Sequence, residues 1–180
     1  MSNIGKKPIK IPISINILQE TNNKITIESH DKTLHKSIQI PEELTTVYNS
    51  NNRELFIKNE KNKTKALWGT TRNKLQNEIL GITHGFTKIL KLNGIGYKAT
   101  NDKNTILLNL GFSHVVKQPI EQQIQCTILK NTEITLTSHN KNKITQFAQK
   151  IRNLKKPDPY KGKGICYQHE NIKLKEGKKK

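Results

Sequence analysis

A run of alternating strands leading into an amphipathic helix occurs twice in this chain, some 80 residues apart, and such a repeat narrows the fold more than any single residue does. In the first half, Lys10-Ile11-Pro12-Ile13-Ser14-Ile15-Asn16-Ile17, Lys24-Ile25-Thr26-Ile27-Glu28 and Glu54-Leu55-Phe56-Ile57-Lys58 alternate with period two, the spacing of a strand with one buried face. A helix is predicted over 65–80, where Leu67, Thr71, Leu75 and Ile79 recur every fourth residue beside Trp68, with Gly81 as its stop. The second half predicts strands at 86–92, 105–110, 123–129 and 133–137. A helix over 140–154 follows, with Ile144, Phe147, Ala148, Ile151 and Leu154 on one face and Gln149, Arg152 and Asn153 on the other. The junctions correspond too: Leu55-Phe56-Ile57-Lys58-Asn59-Glu60-Lys61-Asn62-Lys63 enters the first helix much as Ile134 to Lys143 enters the second. Strands then a helix, twice, predict an α+β protein of two tandem, duplicated domains, each a mainly antiparallel sheet with a helix packed on one face. The expected domains are 1–81 and 82–156. Lys155-Lys156-Pro157-Asp158-Pro159 cannot continue a helix and apolar periodicity ends at Leu154, so 157–180 is expected to be a basic C-terminal extension.

Charge indicates what such a chain would bind. The 180 residues hold 32 Lys plus Arg against 14 Asp plus Glu, a formal net charge of +18. The excess is uneven, with 11 basic and 3 acidic side chains in 150–180 alone. That field attracts polyanions. Apolar residues make up 32% of the chain, below the ~45–50% usual when Gly is counted, so the cores are thin and an outside partner is expected to help hold them. No stretch approaches the ~18 consecutive apolar residues of a membrane helix. The helix over 140–154 lacks the broad Trp-, Phe- or Leu-rich face of a membrane-surface helix.

Enzyme classes fall away for lack of their parts. Gly162-Lys163-Gly164 lacks the spacing of a phosphate-binding P-loop, and Gly94-Ile95-Gly96 lacks the third glycine of a dinucleotide fingerprint. The acidic residues are scattered rather than clustered as a metal-dependent nuclease needs. The six histidines show no ligand spacing, and Cys126 and Cys166 stand apart as two reduced thiols. No catalytic residue, cofactor or metal is expected.

The stretch richest in chemistry is Lys155-Lys156-Pro157-Asp158-Pro159-Tyr160-Lys161-Gly162-Lys163-Gly164-Ile165. Its four lysines offer point charges to phosphates, Gly162 and Gly164 let backbone approach closely, and Tyr160 offers a ring to a base or ribose. Trp68 reads as a packing anchor rather than an RNA stacker. The segment Pro157 to Ile165 resembles the signature of ribosomal protein six of the large subunit, the L-six family of bacteria and organelles. Other blocks agree in order: Ser2-Asn3-Ile4-Gly5-Lys6-Lys7-Pro8-Ile9, Ala66-Leu67-Trp68-Gly69-Thr70-Thr71-Arg72, Gly94-Ile95-Gly96-Tyr97-Lys98-Ala99, Asn109-Leu110-Gly111-Phe112-Ser113-His114 and Lys175-Glu176-Gly177-Lys178-Lys179. The sequence departs from the family pattern at Asn3, Val115 and Cys166 and in the turn Ser29-His30-Asp31-Lys32.

The resemblance implies two α+β domains of common ancestry. It implies binding to large-subunit rRNA near the sarcin-ricin loop and the base of the factor-binding stalk, in support of assembly and translation. Neighbouring large-subunit proteins would be further partners and translational GTPases would pass close by, with neither membrane nor DNA bound. The residues expected to touch rRNA are Lys6 and Lys7, then Lys155, Lys156, Tyr160, Lys161, Gly162, Lys163 and Gly164, and finally Lys173, Lys175, Lys178 and Lys179. A basic RNA-binding or RNA-processing protein outside the ribosome is the alternative. Lys (29), Ile (24) and Asn (20) dominate while Arg numbers only 3, the mark of an AT-rich genome. The family-like pattern begins at Ser2, which leaves no room for an import presequence. Together these favour a mitochondrial ribosome, with plastid or bacterial cytoplasm as alternatives.

Overall fold

A computed structural model describes residues 3–20, 23–59 and 65–177. The chain divides into two compact units, 1–85 and 86–180. The first holds strands β1 (Ile9–Lys10), β2 (Ile15–Glu20), β3 (Lys24–Ser29), β4 (His35–Gln39), β5 (Thr45–Asn49) and β6 (Glu54–Lys58), then helix α1 (Lys65–Thr83). The second holds β7 (Phe86–Asn93), β8 (Lys98–Asp102), β9 (Thr105–Asn109), β10 (Val116–Pro119), β11 (Gln125–Leu129) and β12 (Glu133–Ser138), then α2 (Lys141–Leu154) and β13 (Gly164–Tyr167).

The duplication is visible in the strand order. One sheet of the first unit runs β1-β6-β5 and the other is the meander β2-β3-β4. In the second unit the counterparts are β7-β12-β11 and the meander β8-β9-β10, with β13 added beyond β7. Every pairing is antiparallel. The fold is α+β and duplicated, though each unit divides its strands between two sheets where the sequence suggested one.

Each core is built mainly from aliphatic side chains, many β-branched, that suit a pleated half-buried surface. The first gathers Ile9, Ile15, Ile25, Ile27, Leu55 and Ile57 beneath Leu75, Ile79 and Ile82 of α1. The second sets Ile144, Phe147, Ala148 and Ile151 of α2 against Leu90, Ile134, Leu136 and Ile165 of the β7 sheet. Helix α2 starts on Asn140, whose side chain accepts hydrogen bonds from the amides of Asn142 and Lys143 and so satisfies donors the helix leaves open.

Several expectations are corrected in detail. The alternating run over 10–17 is not one strand. Pro12 has no N–H to give, and its carbonyl accepts the amide of Ile15 at 3.2 Å in a turn that separates β1 from β2. Gly81 does not end α1, which carries it, buried, to Thr83. The stop is Gly85 at φ +67°, whose amide bonds to the carbonyl of Gly81. Leu67, expected on the buried stripe, is exposed, while Trp68 is half-buried and donates its indole N–H to the carbonyl of Ile57 at 2.7 Å. A Cβ on Gly5 would lie 2.5 Å from the Trp68 ring, so Trp68 is a packing anchor. Glu60 to Lys63, part of the first junction, lies outside the described residues.

The largest difference concerns the basic extension. It is not an unstructured arm throughout: Gly164 to Tyr167 form β13, paired with β7 in the register Ile165↔Leu92 and Cys166↔Lys91. Ile165 and Cys166 are buried. Two apolar residues carry no periodicity to read, yet they suffice to dock a strand whose neighbour already exists.

Candidate nucleic-acid interface

The lysine-rich segment is a closed loop between α2 and β13. At its mouth the amide of Ile165 donates to the carbonyl of Lys155 at 2.9 Å. Inside it, the amide of Asp158 donates to the carbonyl of Lys163, and the amide of Gly162 donates to the carbonyl of Asp158, both at 2.8 Å. The Asp158 carboxylate accepts the amides of Tyr160 at 3.1 Å and Lys161 at 3.3 Å, the side-chain capping that makes Asp a turn former. One acidic group is thus occupied by backbone donors while Lys156, Tyr160, Lys161 and Lys163 remain exposed. Lys155 is half-buried, its ammonium 4.6 Å from the ring centroid of Phe112.

Both glycines have reasons inside the protein. Gly162 sits at φ +68° in the turn, where a Cβ would be 3.4 Å from Leu174. Gly164 is buried at φ +146°, and a Cβ there would meet the carbonyl oxygen of Lys156 and the Cα of Pro157, each at 2.6 Å. The close approach that sequence reasoning assigned to a sugar-phosphate chain is, at Gly164, an approach of the protein to itself.

The tail folds back over this loop. The amide of Lys175 donates to the carbonyl of Pro159 at 2.8 Å, which brings the tail segment with exposed Lys173 and Lys175 against the loop. Glu170 ties the segment after β13 to α2. Its carboxylate takes a two-pronged bond from the Arg152 guanidinium and also accepts the amide of Tyr167. The Arg152 bond holds the Glu170 carboxyl below its ordinary range and pushes the Arg152 guanidinium up. Tyr167 stands beside the pair, its hydroxyl donating to Gln149 at 2.9 Å, and burial pushes its phenol up.

Of the other residues expected at RNA, Lys6 and Lys7 are exposed in the first unit, and the carbonyl of Lys7 accepts from Arg72. Lys178 and Lys179 lie outside the described residues. Burial raises both thiols, that of Cys126 to about 11, so neither is an activated nucleophile at neutral pH. Among the described residues no group of three or more His, Cys, Asp or Glu could hold a metal, and no helix is long and apolar enough to cross a membrane.

Comparison with known proteins identifies what this loop belongs to. A sequence model described as ribosomal protein L6 matches residues 93–168, which contain the second helix, the loop and β13. The large ribosomal subunit protein uL6 of Chromohalobacter salexigens is 38% identical over 180 residues, covering all of both chains. That of Methylocella silvestris is equally similar over the same span. That of Lachnoclostridium phytofermentans is 35% identical over 99% of this chain and 98% of its own. The chain belongs to the ribosomal protein L6 family. It is accordingly a structural protein of the large ribosomal subunit and not an enzyme.

Proposed function

We propose that the loop between α2 and β13 is the principal rRNA contact of this chain. It would dock the second unit on large-subunit rRNA near the sarcin-ricin loop and the base of the factor-binding stalk. The observation that carries this reading is the loop's one-sided chemistry: its only acidic side chain is turned onto backbone amides, while Lys156, Lys161, Lys163 and Tyr160 face solvent. Lys155 at the loop's mouth and Lys173 and Lys175 from the tail extend the basic surface. Lys6, Lys7, Lys178 and Lys179 supply further phosphate contacts, and Gly162 and Gly164 hold the loop in shape. Such a protein stiffens the rRNA on which neighbouring large-subunit proteins assemble and past which translational GTPases dock. The bias toward Lys, Ile and Asn supports residence in a mitochondrial ribosome. Crosslinking of assembled subunits with nucleotide-level mapping is the test. Crosslinks from Tyr160, Lys161 and Lys163 should fall on rRNA around the sarcin-ricin loop. Crosslinks confined to other parts of the chain would overturn the assignment.

A further inference from the structure

The chain has only four phenylalanines, and one of them is displayed rather than buried. Phe112 lies in the loop between β9 and β10, is 39% exposed, and is absent from the cluster that packs the second unit. Two residues on, the ring of His114 stacks beside it, centroids 6.1 Å apart and planes 17° from parallel. His114 is itself exposed. The pair is held out by a rigid base. Tyr97, 9% exposed, lies between two glycines, with a Cβ on Gly94 falling 3.1 Å from its ring and one on Gly111 falling 3.4 Å. Gly111 adopts φ +72° and is exposed while Leu110 just before it is fully buried, so the chain leaves the core abruptly and Phe112 carries the first side chain outside.

The third member is Lys155. Its ammonium over the Phe112 ring ties this aromatic pair to the mouth of the lysine-rich loop, a long way off in sequence. An exposed aromatic pair beside the Lys155 ammonium, at the mouth of a lysine-rich loop, matches a nucleobase and its flanking phosphate: the base is an apolar plane, and the backbone on either side is anionic. A protein partner would have to place carboxylates where an RNA backbone supplies phosphates at every nucleotide.

The geometry points to a base-stacking platform: Phe112 and His114 take one unpaired base of the rRNA that the lysine-rich loop engages, and Lys155 neutralises a phosphate next to it. This rests on the proposed rRNA contact and adds to it a sequence-tolerant anchor at an unstacked nucleotide.

The test uses the full chain and large-subunit rRNA, with affinity read by filter binding and each base read by chemical probing. His114→Ala and Phe112→Ala should each weaken binding by about 5- to 150-fold, the range for one base–aromatic stack, and should change the reactivity of a single unpaired nucleotide. His114→Phe should restore both, since it keeps a ring and removes the imidazole. Circular dichroism confirms that each variant folds. Lys161→Ala with Lys163→Ala should weaken binding without singling out one nucleotide. If the lysine changes weaken binding while the His114 and Phe112 changes do nothing, the platform is wrong and the rRNA contact stands. If the wild-type chain does not bind the rRNA, both fall. If His114→Phe fails to restore binding, the imidazole acts through charge or hydrogen bonding and stacking is excluded. If the aromatic changes matter only in whole subunits, the occupant is a protein neighbour and the platform is again wrong.

Discussion

Replacing Gly164 by Ala is the sharpest perturbation this fold offers. The backbone there has φ +146°, a region L-residues avoid, and holding alanine in it costs about 1–3 kcal/mol. The new methyl would also lie 2.6 Å from the Lys156 carbonyl oxygen and the Pro157 Cα, backbone atoms that no rotamer change can move. Relief requires shifting the loop or lifting β13 from β7. Lifting β13 exposes Ile165, now fully buried, at about 1.5–3 kcal/mol. The combined loss of about 2.5–6 kcal/mol is a large fraction of the ~5–15 kcal/mol that holds a domain together. Gly162→Ala is the internal control. At φ +68° it suffers about 1–2 kcal/mol of strain, and its methyl would meet only the flexible end of Leu174 at 3.4 Å. Urea denaturation followed by circular dichroism gives the ranking. Hydrogen exchange by mass spectrometry gives the location, with amides of Ile165 to Tyr167 and their β7 partners exchanging fastest in Gly164→Ala. A midpoint for Gly164→Ala no lower than that of Gly162→Ala, or wild-type exchange rates in β13, would refute the reasoning.

Binding to large-subunit rRNA should weaken steeply with salt, by a log–log slope of about −0.7 to −0.9 per neutralised phosphate, and Lys161→Ala with Lys163→Ala should flatten the slope by about 1.4–1.8. A slope unchanged by the double substitution in filter binding would remove these lysines from the contact. Because the Arg152 bond lowers the folded-state pKa of Glu170, its stabilisation is fully present above the unfolded value of ~4.3 and is lost as pH falls through the folded value. The stability gap between wild type and Glu170→Gln, read from urea midpoints, should therefore close on acidification; a gap independent of pH would contradict the assignment. In the first unit, Gly5→Ala should displace the Trp68 ring, which its Cβ would approach to 2.5 Å, at about 1–3 kcal/mol. The sole Trp makes this visible as a shift in fluorescence emission, and an unshifted spectrum would show that the ring yields without cost.

What could be read in advance follows the strength of each local signal. Helix α2 was legible because five apolar residues share one face, β3, β6 and β12 because each alternates, and β9 because it is a short apolar run. Strands β4, β5, β8 and β10 were not legible. His35-Lys36-Ser37-Ile38-Gln39 and Lys98-Ala99-Thr100-Asn101-Asp102 each have one apolar side chain, and their strand state comes from the neighbours they pair with. Pro119 closes β10, whose partner is β9. The same logic hid β13, where pairing with β7 and burial of Ile165 override a composition that reads as solvated. At the candidate site the residue types were legible and their roles only partly so. Sequence shows that Gly164 can adopt φ +146°; only the fold shows that Lys156 and Pro157 demand it. Lys155 over Phe112 is a contact between distant segments, and no local pattern announces it.

Charge alone does not say how the basic extension after Pro157 is ordered, and the loop shows what orders it. Ordering a residue costs about 1–2 kcal/mol of backbone entropy, a debt that charge alone does not offset. Here it is met within the protein. Ile165 and Cys166 bury apolar surface, Arg152 and Glu170 pair, and Asp158 organises the turn from inside. The lysines between these anchors therefore stand on an already ordered backbone. A preorganised loop loses less entropy on docking than a free arm, so under the proposed rRNA contact more of each phosphate interaction would appear as affinity. Asp158, the one acidic residue of the loop between α2 and β13, is the residue that organises its turn. Its carboxylate lowers the net charge of the segment by one unit and in exchange fixes the turn that carries Lys161 and Lys163, the residues proposed to meet phosphate.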